Sequence, residues 1–134
     1  MEFIEPYKIT VLVLGLSGIL FWLQLVIVDI LGIKAKHTPG FAIEQDHQQL
    51  LFRADRTLAN SNESVGILLL LVTFAILSNA NPTWLNNAAV AYFVGRVSHM
   101  LFYYFNIKLM RSIAFAVSLI ALLVMFIAGL MSYS

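Results

Sequence analysis

The chain has no cysteine among its 134 residues, and only 11% of the residues are charged. The lack of cysteine excludes disulfides, thiolate metal sites and a nucleophilic thiol carried by the protein itself. Any thiol chemistry must therefore use the sulfur of a substrate. Eight Lys and Arg against seven Asp and Glu leave a formal net charge of +1, which argues against a nucleic-acid-binding surface. The three histidines, His37, His47 and His99, are scattered and lack carboxylates at ligand spacing, so no metal site is expected.

Hydrophobic residues make up 60% of the chain, a share typical of an integral membrane protein. Residues 9–28 and 112–131 form two apolar runs of about 20 residues, the length that crosses a bilayer. The apolar run at residues 65–77 is too short to cross alone, so its helix must begin earlier, near residues 45–49. A turn at residues 78–82 precedes a further helix from residue 83 to about 107. The sequence predicts one all-α domain, residues 1–134, with four transmembrane helices.

Basic residues near the helix ends predict the orientation in the membrane. One side carries Lys34, Lys36, Arg53, Lys108 and Arg111, whereas only Lys8 lies on the other. The positive-inside rule then places the loop at residues 34–46 and the third turn in the cytoplasm. The first residues are acidic where a signal peptide would be basic, so we expect the first helix to be retained.

Two trios of polar residues lie on the second and third helices. The first trio is Arg56, Asn60 and Glu63, and the second is Tyr103, His99 and Arg96. Each trio has spacings of four and three residues, which place its members on one helix face. The two helices are antiparallel and share the turn at residues 78–82. The number of residues between this turn and each trio is nearly the same, so the trios should lie at equal depths in the membrane, with Glu63 level with Arg96. Because lipid disfavours such groups, we expect the two faces to meet each other or a ligand.

Simpler interpretations exist for each residue alone. Glu63 and Arg96 could form an ion pair that only fixes the register of the two helices. His99 could be a core histidine, and Tyr103 could belong to an aromatic belt. The conjunction of six polar groups with a basic mouth favours a site for an anionic amphiphile.

At these residues the chain resembles the membrane-associated proteins in eicosanoid and glutathione metabolism, the MAPEG family, which includes the microsomal glutathione transferases. The matching pieces are Arg56-x-x-x-Asn60-x-x-Glu63, then Arg96-x-x-His99-x-x-x-Tyr103, then Arg111-Ser112. Together, in this order and at these separations, the pieces are fairly specific. The resemblance covers essentially the full chain, including its length, its four helices and its basic side.

The resemblance implies a homotrimer of four-helix subunits that holds glutathione between subunits near the cytoplasmic face. It implies that glutathione lies among the following residues: Arg56, Asn60, Glu63, Arg96, His99 and Tyr103. By the same resemblance, Arg111 stabilises the thiolate of glutathione, which then attacks a lipophilic electrophile or hydroperoxide. Lys34 or Lys36 would reach a glutathione carboxylate from the adjacent subunit. The small size is more typical of a bacterial member, which implies the bacterial inner membrane.

The chain departs from the family pattern at several positions. Ala59 stands where prostaglandin-synthase-like members carry an arginine, and Ser64 replaces a tyrosine of leukotriene-synthase-like members. The approach to Arg111 is about one residue shorter, so Lys108 could replace Arg111 or compete with it. The alternative function is therefore a non-enzymatic membrane protein that binds lipid or another amphiphile. A transporter or channel ranks last, because neither repeats nor broken helices are present.

Overall fold

Four long α-helices form the protein, for which the computed structural model describes residues 2–133. A short 3-10 helix, Glu2–Tyr7, leads into α1, Lys8–Lys34. The other helices are α2, Leu50–Leu77, α3, Pro82–Tyr104, and α4, Lys108–Tyr133. Helices α2 and α3 each pack against all of the other long helices, so they form the centre of the bundle.

Two long-range contacts fix the up-and-down order of the helices. The Tyr7 hydroxyl donates to the Ala80 carbonyl at 2.7 Å, which ties the N-terminal segment to the turn between α2 and α3. At the opposite end, Arg53 at the start of α2 donates to the carbonyl of Tyr104 at the end of α3. The basic helix ends therefore lie together at one end of the bundle, as the sequence predicted.

The helix bounds differ from the predicted ones mainly around the turn between α3 and α4. Helix α3 ends at Tyr104, not near residue 107, and α4 begins at Lys108. The cause is Asn106, whose φ of 58° is left-handed and cannot continue a right-handed helix. Its N–H donates to Tyr103 and that of Ile107 donates to Phe102, which together close a Schellman turn. Helix α2 begins at Leu50, one residue beyond the predicted range.

Within residues 2–133, three helical segments are long and apolar enough to cross a membrane: Glu2–Lys34, Leu50–Leu77 and Lys108–Tyr133. Helix α3 falls outside this set because polar residues interrupt it, among them Asn86, Arg96 and His99. At about 1.5 Å per residue its length is still about 34 Å, enough to cross the hydrocarbon core. Its polar residues are accommodated because α1, α2 and α4 all pack against it.

Helices α3 and α4 approach closely at Gly95. A Cβ added there would lie 2.5 Å from Ser118 Oγ and 3.1 Å from the Ala114 carbonyl oxygen. Small residues at an interface are the usual way for membrane helices to come into close contact. The packing of α4 therefore depends on the absence of a side chain at residue 95.

Replacing this glycine should separate the two helices. We expect Gly95→Ala to lower the free energy of unfolding by about 1–3 kcal/mol, because the methyl group would overpack the contact with α4. The matched control is Gly18→Ala, since a Cβ at Gly18 meets no atom within 4 Å. Thermal unfolding in detergent measures both variants. Equal midpoints for the two variants would contradict the close contact.

Candidate functional site

The structure buries part of each polar trio and exposes the rest. Arg96 and His99 on α3 are 1% and 4% exposed, and Asn60 on α2 is partly buried. Arg56 and Glu63 lie on the exposed surface of α2 in the single chain. The alternative of an ion pair between Glu63 and Arg96 is not seen: among residues 2–133 no ion pair within 4.0 Å joins them.

The contacts between α2 and α3 are offset from the sequence estimate, which explains the missing ion pair. Asn60 bonds Arg96, and Ser64 bonds Tyr92. In both contacts the partner on α3 lies three residues before the one at equal depth, and in the contact of Ser61 with Arg96 it lies two residues before. The turn does not cause this offset, because α2 ends at Leu77 and Asn81 caps α3, close to the ends that the estimate used.

The Arg96 guanidinium is the centre of a buried hydrogen-bond network. Its Nη1 donates to Asn60 Oδ1 at 2.7 Å, and its Nη2 donates to Ser61 Oγ at 3.1 Å. The Ser61 hydroxyl donates to Gln24 Oε1 on α1 at 2.7 Å. Three helices thus share one polar network, and within the described chain Arg96 has no carboxylate within 4.0 Å.

Sequence reasoning missed Gln24 and Ser61, both of which are 0% exposed. Gln24 interrupts an otherwise apolar run in α1, and a lone amide in a transmembrane helix is a signal for a partner on another helix. Ser61 follows Asn60 directly and so lay outside the predicted face. Arg96 reaches both because its planar guanidinium has separate donors directed to each.

A second contact joins α2 and α3 one turn deeper. The hydroxyls of Ser64 and Tyr92 lie 2.9 Å apart, and Tyr92 is 0% exposed. Ser64 therefore holds the two helices together in this chain. The serine that departs from the family pattern has a structural partner of its own.

An aromatic and basic cluster surrounds Tyr103 at the basic end of the bundle. The Arg111 guanidinium carbon lies 4.4 Å from the centre of the Tyr103 ring, the geometry of a cation–π contact. His99 meets the same ring edge-on at 5.4 Å between centroids, and His47 stacks on it at 6.1 Å. His47 was not predicted, because it lies in the loop before α2 and away from either trio.

Several nitrogen atoms of this cluster are sealed from solvent and have no hydrogen-bond partner within residues 2–133. They are Arg111 Nη1, His99 Nδ1 and His47 Nδ1. Buried donors and acceptors are usually satisfied, so an unsatisfied set at one place is informative. The polar atoms of the cluster are therefore not all satisfied within the single chain.

Arg53 holds the loop that carries His47. Its Nη1 donates to the carbonyls of His47 at 2.6 Å and Gln48 at 2.9 Å, while Nε and Nη2 both donate to Tyr104. The same side chain therefore caps the C-terminus of α3 and fixes the loop beside Tyr103.

The remaining predicted residues lie at the rim. Lys34 ends α1 and Lys108 begins α4, and both are exposed. Neither contributes a side-chain hydrogen bond to the network or to the cluster. No group of three metal-ligating side chains occurs in the part of the chain that the structure describes.

A cavity of about 470 Å³ lies beside the end of α1, apart from both trios. Its polar lining residues include Asp29 and His37, and Ile33 and Leu51 contribute apolar surface. The exposed charges of the polar face, Arg56 and Glu63, lie instead on the open surface of the single chain.

The architecture is that of a helical membrane bundle whose two central helices share a buried arginine network, next to a basic aromatic cluster at one end. The chain belongs to the MAPEG family, whose family model matches residues 9–131. This match confirms the family resemblance, and the helical membrane bundle that the apolar segments predicted agrees with it. No curated protein and no solved structure matches the chain significantly.

Proposed function

We propose that the protein is a membrane-embedded, glutathione-dependent transferase or peroxidase that acts on lipophilic electrophiles or hydroperoxides. Membership in the MAPEG family supports chemistry related to glutathione or eicosanoids. The proposal assigns glutathione binding to the polar face of α2 and α3, and thiol activation to Arg111.

The observation that carries the proposal is the state of Arg111. Its guanidinium is held against the Tyr103 ring, its side chain is partly exposed, and among the described residues no carboxylate lies within 4.0 Å of it. A fixed, partly exposed cation without a carboxylate partner is suited to an anionic sulfur. Such a contact stabilises the thiolate over the thiol and makes the sulfur nucleophilic near neutral pH.

The exposed charges of α2 fit the ends of a tripeptide. Arg56 and Glu63 are seven residues apart, so they are separated by about 10 Å along the helix. An extended tripeptide spans about the same distance. Arg56 would bind a glutathione carboxylate, and Glu63 would accept from its ammonium group.

The same exposed face argues for a neighbouring copy of the chain. Arg56, Asn62 and Glu63 would otherwise lie on a membrane helix without protein cover, which is costly in lipid. We propose a homotrimer in which this face lies between subunits, with Lys34 of one subunit reaching a glutathione carboxylate in the site of another. A bacterial inner membrane with the site towards the cytoplasm completes the proposal, in keeping with the basic helix ends.

In this proposal the residues of the site have different roles. Arg56, Asn60 and Glu63 bind the peptide part of glutathione, and Tyr103 and His99 shape the wall beside its sulfur. Arg111 stabilises the thiolate, with Lys108 as a second positive charge at the mouth. The electrophile would enter from the lipid between subunits, where apolar helix faces are exposed.

Calorimetric titration tests the binding part of the proposal. We expect detergent-solubilised protein to bind glutathione at millimolar concentration or below, because several charge-assisted hydrogen bonds are available. The control ligand is S-methylglutathione, which cannot form a thiolate and should bind more weakly. An absence of binding at millimolar glutathione, in both the heat and the absorbance of the thiolate, would refute the proposal.

A non-enzymatic amphiphile-binding protein is the second candidate. The observation that favours it is the role of Ser64, which stands at a position where the family resemblance places a tyrosine. In this chain Ser64 bonds Tyr92 and so contributes to helix packing. Under this function the protein would bind lipid without turnover, and Arg111 would have no effect on any reaction.

A further inference from the structure

The hydrogen bonds around Arg96 run in one direction only. Arginine can donate but cannot accept, so Ser61 Oγ must accept from Arg96 Nη2. The Ser61 hydroxyl has one proton of its own, and this proton goes to Gln24 Oε1. The donor and the acceptor of each hydrogen bond between Arg96, Ser61 and Gln24 are thereby assigned. One donor stays unsatisfied, because Gln24 Nε2 is buried and has no partner among the described residues.

The orientation of the Asn60 amide is fixed in the same way. Because Arg96 Nη1 donates to it at 2.7 Å, the atom facing the guanidinium must be Oδ1. The Nδ2 atom then points away from Arg96. It has no hydrogen-bond partner among residues 2–133, and it is not one of the sealed polar atoms, so it reaches the surface of the site.

The geometry points to a positioning role for Gln24 and Ser61 in glutathione binding. These two residues hold the Arg96 guanidinium, and Arg96 holds the Asn60 amide so that Nδ2 is presented to the ligand as a donor. Arg96, 1% exposed, acts through Asn60 and does not bind the ligand itself. The inference rests on the proposed function, because it assigns how this chain orients one of its glutathione-binding groups.

The inference also specifies what the ligand offers at this point. Asn60 Nδ2 is a fixed N–H donor, and the buried positive charge of Arg96 lies on the other side of the Asn60 amide. Such a donor favours an acceptor that carries full or partial negative charge. The glutathione group beside Asn60 should therefore be a carboxylate or a peptide carbonyl, and not the ammonium group.

Asn60→Asp is the most discriminating variant, because it separates stability from binding. The carboxylate has the shape of the amide and gives the buried Arg96 an opposite charge, so the thermal midpoint should rise. The same change replaces the outward donor by an acceptor with negative charge. Glutathione affinity should fall by at least about tenfold. The matched control is Asn62→Asp, which adds the same charge on the exposed surface of α2 and should not raise the midpoint.

Ser61→Ala tests the role of the hydroxyl. Without this hydroxyl, Arg96 Nη2 loses its acceptor, and the Arg96 guanidinium no longer holds the Asn60 amide in one orientation. The KM for glutathione should therefore rise by about tenfold. The kcat should stay near that of the wild type, because Arg111 is untouched. The control is Ser118→Ala, another buried serine, whose hydroxyl bonds only Ala114 of its own helix.

The decisive experiment is glutathione titration of wild type, Asn60→Asp and Asn62→Asp, with thermal unfolding of each. A higher midpoint with weaker binding in Asn60→Asp alone is the expected result. A wild type that binds glutathione while Asn60→Asp binds equally well would overturn the positioning role and leave the proposed function intact. A wild type that does not bind glutathione would overturn the proposed function, and the inference would fall with it.

Discussion

Arg111→Ala is expected to lower turnover at saturating glutathione by about 100- to 1,000-fold. The guanidinium is the cation that the account places beside the reacting sulfur, and removal of one such charge-stabilising donor costs about this much in other enzymes. Binding should suffer less than turnover, because the peptide part of glutathione is held by α2. Conjugation of a lipophilic electrophile such as a halodinitrobenzene, followed by absorbance, measures the effect.

Lys108→Ala is the control for this experiment. Lys108 lies on the same helix, three residues earlier, and is exposed. An exposed cation at the mouth should change turnover by about threefold at most, through weaker attraction of the anionic substrate. If Lys108→Ala cost more than Arg111→Ala, the lysine would be the activating residue. If Arg111→Ala kept full turnover, the proposal that Arg111 activates the thiol would be wrong.

Arg96→Met should remove most glutathione binding without unfolding the protein. Burial of an arginine without a carboxylate partner costs at least about 2.5 kcal/mol on insertion scales, and Met of similar length removes this cost. The loss of donors to Asn60 and Ser61 costs about 1–3 kcal/mol and offsets the gain. The thermal midpoint should therefore stay close to that of the wild type. Glutathione affinity should fall by about 100-fold, because the Asn60 amide is free and the buried charge is gone.

Arg96→Lys separates the charge from the hydrogen-bond geometry. The ammonium group keeps the charge, but it lacks the planar fork that reaches Asn60 and Ser61 together. We expect Arg96→Lys to bind glutathione nearly as weakly as Arg96→Met. If Arg96→Lys bound glutathione as tightly as the wild type, the positive charge alone would matter for binding. If the thermal midpoint of Arg96→Met fell sharply, the hydrogen-bond network would serve stability.

The membrane architecture could be predicted from particular segments of the sequence. The short apolar run at residues 65–77 required α2 to begin inside the charged segment, and it begins at Leu50. Basic residues at the helix ends placed Arg53 and Lys108 at one end of the bundle, and the contact of Arg53 with Tyr104 agrees. Helix length and charge asymmetry are properties of single segments, which is why the sequence reveals them.

The side-chain pairing could be predicted only in part. The sequence indicated that the polar faces of α2 and α3 meet, and Arg96 does reach Asn60. It placed Glu63 level with Arg96, because counting residues from the turn gives depth along each helix but not which side chains bond. It also missed Gln24, since no periodicity connects a residue of α1 with Arg96 on α3. Such partners depend on helix rotation and register, which tertiary packing decides.

The role of each glutathione-binding residue came from the family resemblance and stays a proposal. Spacing placed Tyr103 and His99 on one face, and the structure adds that Arg111 stacks on Tyr103. His47 joins this cluster only because Arg53 fixes its loop. No local sequence pattern predicts a contact of that kind.

The most direct measurement is a structure of the detergent-solubilised protein with bound glutathione, by electron cryomicroscopy or crystallography. The account predicts that the tripeptide lies against the polar face of α2 and α3. Its sulfur should lie within about 4 Å of the Arg111 guanidinium. Asn60 Nδ2 should donate to a carboxylate or a peptide carbonyl of the tripeptide. Glutathione bound elsewhere, for example in the cavity beside Asp29 and His37, or with its sulfur far from Arg111, would contradict the account.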